Sequence, residues 1–170
     1  MPTAPVIRRA TPADIPAVAK LAAGLVRFHH HLDAKRFFLE EPVEEGYAWW
    51  LSREIQNEGA VLLVAEESPS PNEAPRIIGY AYGRLEERDW TALLDACGML
   101  HDLYVADDAR THGVGGALVE AMVAEMTSLG APRLVLTTAT QNEKAQRLFK
   151  KLGFRVTMLE MTREVGDKAD

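Results

Sequence analysis

The chain has one cysteine, Cys97, a scarcity that excludes an internal disulfide framework and a cysteine-rich zinc site and fits a reducing compartment. It also lacks any apolar run near the ~20 residues that a membrane-spanning helix requires. A signal-peptide apolar region is missing too: the first ten residues hold two prolines, and Arg8 and Arg9 follow the only aliphatic pair. Basic residues are outnumbered, 19 Lys and Arg against 25 Asp and Glu for a net charge of -6. That balance argues against a nucleic-acid partner, because phosphate backbones demand a concentrated basic surface. No repeat or low-complexity tract is present. These absences leave an ordinary globular protein, expected in the cytoplasm without a membrane association.

A length of 170 residues with 47% hydrophobic composition supports one real core and is short for two, so residues 1–170 read as a single domain. Alternation and turn signals predict strands at 6–9, 60–66, 76–85, 99–105 and 134–138, with a final β segment at 154–164. Residues 68–75, with three prolines, read as a hairpin connection. Thr11 opens a helix with Pro12 at its first position and Asp14 three residues after the cap. Ile15, Val18, Ala22, Leu25 and Val26 then recur at helical spacing. Further helices are expected at 43–56 and 113–129, and from Thr140, where Glu143 completes a capping-box pattern, to Gly153. The His- and Phe-rich stretch 28–41 has no clear period. Strand 99–105, the helix after it and strand 134–138 form a βαβ unit. The sum is a mixed α/β sheet with helices on both faces.

The most informative stretch is Arg110, Thr111, His112, Gly113, Val114, Gly115 and Gly116, between a strand and a helix start. A helix N-terminus presents unpaired amides and partial positive charge to an anion, and glycines allow close backbone approach. The same glycines also suit a tight turn or close helix packing. A P-loop is excluded because Gly115 is followed by Gly116 and Ala117 rather than Lys and Ser or Thr. A dinucleotide fingerprint fits poorly, since its third glycine position holds Leu118.

Taken with His101 to Val105 before it and the run Asn142, Ala145, Leu148, Phe149, Gly153, Phe154 after it, this stretch resembles the GNAT superfamily of N-acetyltransferases. The resemblance implies a central, mostly antiparallel sheet with a splayed parallel strand pair that binds acetyl-CoA as co-substrate. Leu103, Tyr104 and Val105 would pair with the pantetheine arm, and the amides of residues 111–116 would hold the pyrophosphate, with Arg110 adding a charged contact. Asn142 would fix the pantetheine path, or cap its own helix. Similar proteins are often dimers, so a homodimer is an expectation of the resemblance. The acceptor would be an amine of a small molecule or peptide; the alternative is a non-catalytic acyl-CoA-binding or regulatory domain of the same fold.

An amine attacks a thioester only when neutral, and deprotonating a lysine-like amine of pKa ~10.4 at pH 7 costs about 4.6 kcal/mol. His101, on the strand leading into the cofactor region, is the first candidate for the base; its other reading is a hydrogen-bonded structural histidine. Glu86, in an acidic run with Glu87 and Asp89, would act through water or attract a cationic acceptor. His30, within the His29–His31 triplet, would line the acceptor opening. A metal is not expected there, because consecutive residues diverge and no cysteine or spaced histidine completes a site. Phe149 stands where the family places a proton-donating tyrosine, leaving water, Tyr104, Tyr80 or Tyr82 to protonate the thiolate.

Overall fold

In strand β2 (Ala60–Glu67), side chains alternate between two cores, and this period of two sets the layering. Val61, Leu63 and Ala65 join one buried cluster, while Ala60, Leu62 and Val64 join the other. The structure is a computed structural model and describes residues 5–68, 73–110 and 112–166. The remaining elements are β1 (Val6–Arg9), α1 (Ile15–Leu32), α2 (Val43–Glu54), β3 (Arg76–Glu86), β4 (Cys97–Val105), α3 (Val114–Ser128), β5 (Leu134–Leu136) and α4 (Glu143–Lys151). The sheet order is β1-β2-β3-β4-β5, antiparallel throughout except for the parallel β4/β5 pair. Helices α1 and α2 cover the face bearing Leu62, Val64, Tyr80 and Tyr82. On the opposite face Val114, Leu118, Met122 and Met126 of α3 pack with Phe149 of α4. Here α3 lies so close that a Cβ on Gly83 would stand 2.7 Å from Met122 Sδ.

The Thr11 signal opens a 3-10 turn (Pro12–Asp14) that leads into α1. Asp14 is almost fully buried. Its carboxylate accepts bonds from Arg8 at 2.8 and 3.0 Å and from the Thr11 amide at 2.7 Å. The guanidinium is the chief cause that holds the Asp14 carboxyl down at about 2. A depressed folded-state pKa adds stability that is present above the unfolded value of ~3.9 and is lost as pH falls through the folded one. With Arg8 one-third exposed, solvent screening reduces the contribution to about 1–2 kcal/mol. Asp14→Asn is therefore expected to lower the urea unfolding free energy by that amount at neutral pH. The difference from wild type should close as pH drops from ~4 to ~2; a pH-independent difference would remove the ion pair as its source.

One segment without a clear period takes shape, and two sequence expectations change. Residues 28–32 continue α1, so His29, His30 and His31 occupy its last turn, where a cation suits the helix dipole. The last helix starts after Asn142 rather than Thr140, because the Asn142 Oδ1 accepts the Ala145 amide at 3.2 Å. The β segment expected at 154–164 forms no strand. Its first five residues, Phe154 to Met158, alternate as a strand would, but a strand exists only through a partner, and no backbone hydrogen bond between described residues involves 155–166. Strands β2 and β3 do pair antiparallel as expected; residues 69–72 of their predicted connection lie outside the described residues.

Candidate functional site

Strand β4 is paired with β5 only through Gly98, Met99 and Leu100, opposite Leu134, Val135 and Leu136. Beyond Leu100 it keeps β3 as its neighbour, with Leu103, Tyr104 and Val105 opposite Ala81, Tyr80 and Gly79. The edge of residues 101–105 that would face β5 is thus left without a partner among the described strands, and an extended ligand carrying amides could complete the ladder there. Leu103 packs toward α3 and Tyr104 toward α1, which aligns their main chain along this opening.

The chain then turns through Asp107–Ala109 and Arg110 into Gly113, whose φ of 73° is the left-handed conformation a glycine adopts freely. The first intrahelical bond of α3 runs from the Ala117 amide to the Gly113 carbonyl, so the amides of Val114, Gly115 and Gly116 have no acceptor within the helix. A Cβ on Gly115 would meet Leu148 at 3.4 Å and Val105 at 3.8 Å, and one on Gly116 would meet Leu148 at 3.7 Å, all ordinary van der Waals contacts. The protein's own packing therefore does not demand glycine at these two positions, and the bare backbone suits an approaching anion. Exposed His112 flanks the turn; Thr111 lies outside the described residues. Arg110 braces the loop. Its Nε donates to the Val105 carbonyl at 3.0 Å, it pairs with Asp107 at 2.8 Å, and its guanidinium lies 5.0 Å from the Tyr104 ring centroid. These residues fit a CoA thioester, with main chain for the pantetheine amides and a helix start for the pyrophosphate.

On the α1/α2 face, a cleft of about 310 Å³ is lined by Trp50, Tyr82, Arg84, Glu86, His101 and Asp102. A β-bulge shapes it: Tyr82 lies opposite Asp102 and Gly83 opposite Leu100, so His101 is the extra residue on β4. The bulge lets two successive side chains serve one face. His101 stacks on Tyr82 with centroids 5.7 Å apart, and its Nε2 is 3.1 Å from Glu86 Oε1. Asp102 accepts a bond from the Tyr80 hydroxyl at 3.0 Å and a second from Tyr47. Desolvation, opposed by these tyrosine bonds, pushes its carboxyl above the ordinary aspartate value.

Of the expected acceptor-side residues, the fold brings Glu86 and His101 together but not His30, whose Nδ1 bonds the Phe37 carbonyl at 2.8 Å beyond the cleft lining. The Asn142 carbonyl oxygen is used in capping α4. Phe149 is buried edge-on to Phe154. The Tyr80 and Tyr82 hydroxyls donate to Asp102 and Glu54, and burial raises both well above ordinary tyrosine values, making them poor proton donors. Asp102 enters the sequence analysis only as part of the His101–Val105 stretch, with no role of its own; a carboxylate in mid-strand among apolar residues is the signal that marks it. Burial raises the Cys97 thiol as well, opposite to what a nucleophilic cysteine needs. Among the described residues no three His, Cys, Asp or Glu side chains gather as metal ligands, and no helix is long and apolar enough to cross a membrane.

The family model described as "Acetyltransferase (GNAT) family" matches residues 25–154. The chain is 28% identical over 148 residues to the uncharacterized N-acetyltransferase YhfO of Bacillus subtilis, covering 87% of this chain and 88% of that one. It is also 28% identical over 155 residues to the L-methionine sulfoximine/L-methionine sulfone acetyltransferase of Pseudomonas paraeruginosa, covering 89% and 80%. Among solved structures, the aminoglycoside N-acetyltransferase AAC(6')-Iy in complex with CoA shares the fold. Its TM-score is 0.74 at 17% identity, over 98% of this chain and 97% of that one.

Proposed function

Because the chain belongs to the GNAT acetyltransferase family and is an acetyl-CoA-dependent N-acetyltransferase, we propose that it acetylates the primary amine of a small molecule held in the cleft beside His101. The observation that carries this reading is the position of the His101–Glu86 pair. His101 is the first residue of β4 past its last pairing with β5, which puts a base at the head of the opening and beside the cleft.

The bound thioester supplies an activated acetyl carbonyl. The chain's own residues do the rest. Main chain at Leu103–Val105 and the amides of 111–116 hold the donor, so that its acyl end reaches the bulge. Glu86 orients the His101 ring, and His101 takes the proton that the ammonium must lose, a step about 4.6 kcal/mol uphill at neutral pH for a lysine-like amine. The freed nitrogen bonds the acetyl carbon and gives up a second proton, the carbon–sulfur bond breaks, and the CoA thiolate leaves as the thiol after taking a proton through water. Trp50 and Tyr82 offer aromatic faces to a cationic acceptor, and the Asp102 carboxylate lies beneath them. Arg84, whose described ion pair with Glu54 is as long as 3.6 Å, can receive a carboxylate on the acceptor. That chemistry, with the Pseudomonas relative's named substrates, puts free amino acids first among candidate acceptors. Residues 1–170 act in this reading as one acetyltransferase domain, and the lone buried thiol of Cys97 supports a cytoplasmic setting.

The test is release of free CoA thiol from acetyl-CoA over a panel of amino acids, aminoglycosides, arylamines and peptide N-termini. Turnover is expected with small primary amines. Tight acetyl-CoA binding in calorimetry with silence across the whole panel would favour a binding domain instead.

A further inference from the structure

Helix α4 carries a charge that its own stability does not call for. Lys144, Arg147, Lys150 and Lys151 are basic and Glu143 alone is acidic, in a chain whose net charge is -6. Arg147 is held by Glu143 at 3.4 Å, one turn earlier on the helix. Lys150 and Lys151 stand in the last turn, where cations suit the negative end of the helix dipole. Neither reason applies to Lys144. It is the second residue of α4, at the positive end of the dipole, where a cation is disfavoured. It is exposed, and its side chain makes no ion pair or hydrogen bond with a described residue.

The helical period places this lysine beside the start of α3. Phe149 is buried, with Ala145 and Leu152 packed against the same core. Leu148 lies at the margin of that apolar stripe and comes closest to the two glycines of the α3 start, since a Cβ on Gly115 or Gly116 would stand 3.4 or 3.7 Å from it. Lys144, one turn before Leu148, shares its face on the side away from Phe149. The acids nearest in sequence to the α3 start do not neutralise it. Asp107 is paired with Arg110 and Asp108 with Arg76, both at 2.8 Å.

CoA carries two anionic groups, the pyrophosphate bridge and the 3′-phosphate monoester on its ribose. Resting on the reading that the start of α3 holds the first, we infer that Lys144 receives the second, and that the protein thereby distinguishes CoA from 3′-dephospho-CoA. Main-chain amides at a helix start accept any diphosphate. A monoester beside it, with a charge of about −1.5 to −2 at neutral pH, is met by a point charge on a flexible stem, which lysine supplies. The cation that opposes the α4 dipole is then matched by the anion it faces.

Calorimetric titration of the whole chain with CoA and with 3′-dephospho-CoA tests this without turnover. At ~50 mM salt the wild type is expected to bind CoA about five- to tenfold more tightly than the dephospho form, and the ratio should approach one at ~0.5 M as the exposed pair is screened. Lys144→Gln should reduce the low-salt ratio to about twofold or less by weakening CoA alone, with dephospho-CoA affinity and circular dichroism nearly unchanged. Lys151→Gln, on the same margin at the far end of the helix, should keep most of the ratio. Equal wild-type affinities for the two ligands overturn the inference and leave the pyrophosphate reading standing. A ratio that survives Lys144→Gln, or that Lys151→Gln abolishes equally, overturns it too. Binding of neither ligand would remove the donor site at α3, and this assignment with it.

Discussion

Gly115→Glu is expected to weaken acetyl-CoA binding about a hundredfold or more while the empty protein melts at the same temperature or slightly higher. The two effects have opposite signs for one reason. Gly115 is the second residue of α3, where a carboxylate is favourable to the helix dipole by ~0.3–1 kcal/mol and replaces a residue that disfavours helix by a similar amount. In the proposed donor site that carboxylate would stand where the pyrophosphate would be held, and two like charges ~4 Å apart repel by about 4 kcal/mol at an effective dielectric of 20. The protein leaves room for the side chain, since a Cβ there meets Leu148 at 3.4 Å and Val105 at 3.8 Å, both ordinary contacts. Calorimetric titration with CoA alongside a melting curve separates the effects. Unchanged CoA affinity with a normal melt would remove the start of α3 from the binding site.

The second large effect is a contrast between neighbours. His101→Ala is expected to lower kcat/KM by about 10²–10³ near neutral pH, the usual contribution of a positioned base, with recovery at high pH as the amine loses its proton unaided. In the variant the acidic limb of the wild-type pH profile should give way to one set by the amine's own pKa. Asp102→Asn should cost less than about tenfold, because Asn Oδ1 can still accept the tyrosine hydroxyls. It should also raise the melting temperature at neutral pH. Desolvation holds the Asp102 pKa above its ordinary value, so ionisation is harder in the folded state and stability drops as pH rises from the unfolded pKa through the folded one. Removing the carboxyl removes that loss, and the melting difference should vanish in acid. If instead Asp102→Asn erases the acidic limb and His101→Ala keeps it, the base is Asp102 and the histidine is a cleft wall.

Both predictions depend on positions that were legible in the sequence to different degrees. The turn at Gly113 and the helix after it could be read directly, since glycine spacing and apolar period are local properties. Strands β2 and β3 were equally plain, each bounded by turn signals. The segment 154–164 opens with the same alternation, yet it makes no strand, because pairing depends on whether an edge elsewhere is within reach. His101 stands out in the sequence for its chemistry and for its place on the strand leading into the cofactor region; that Glu86 orients it and Tyr82 stacks on it follows from the β3/β4 register, which no single stretch encodes. Asp102 was passed over because a carboxylate in an apolar strand acquires meaning only when Tyr47 and Tyr80 are found around it. Asn142 could have been read as a cap or as a ligand from the same residue, and its local bond to Ala145 favours the cap.

The bulge at His101 gives this strand one position that can be lost without a slip. Leu100 already stands opposite Gly83 and Asp102 opposite Tyr82, so deleting His101 would leave a regular ladder with Asp102, Leu103, Tyr104 and Val105 on the faces they now occupy. Such a deletion should yield a protein that folds and still takes up the donor, while the cleft has lost its base.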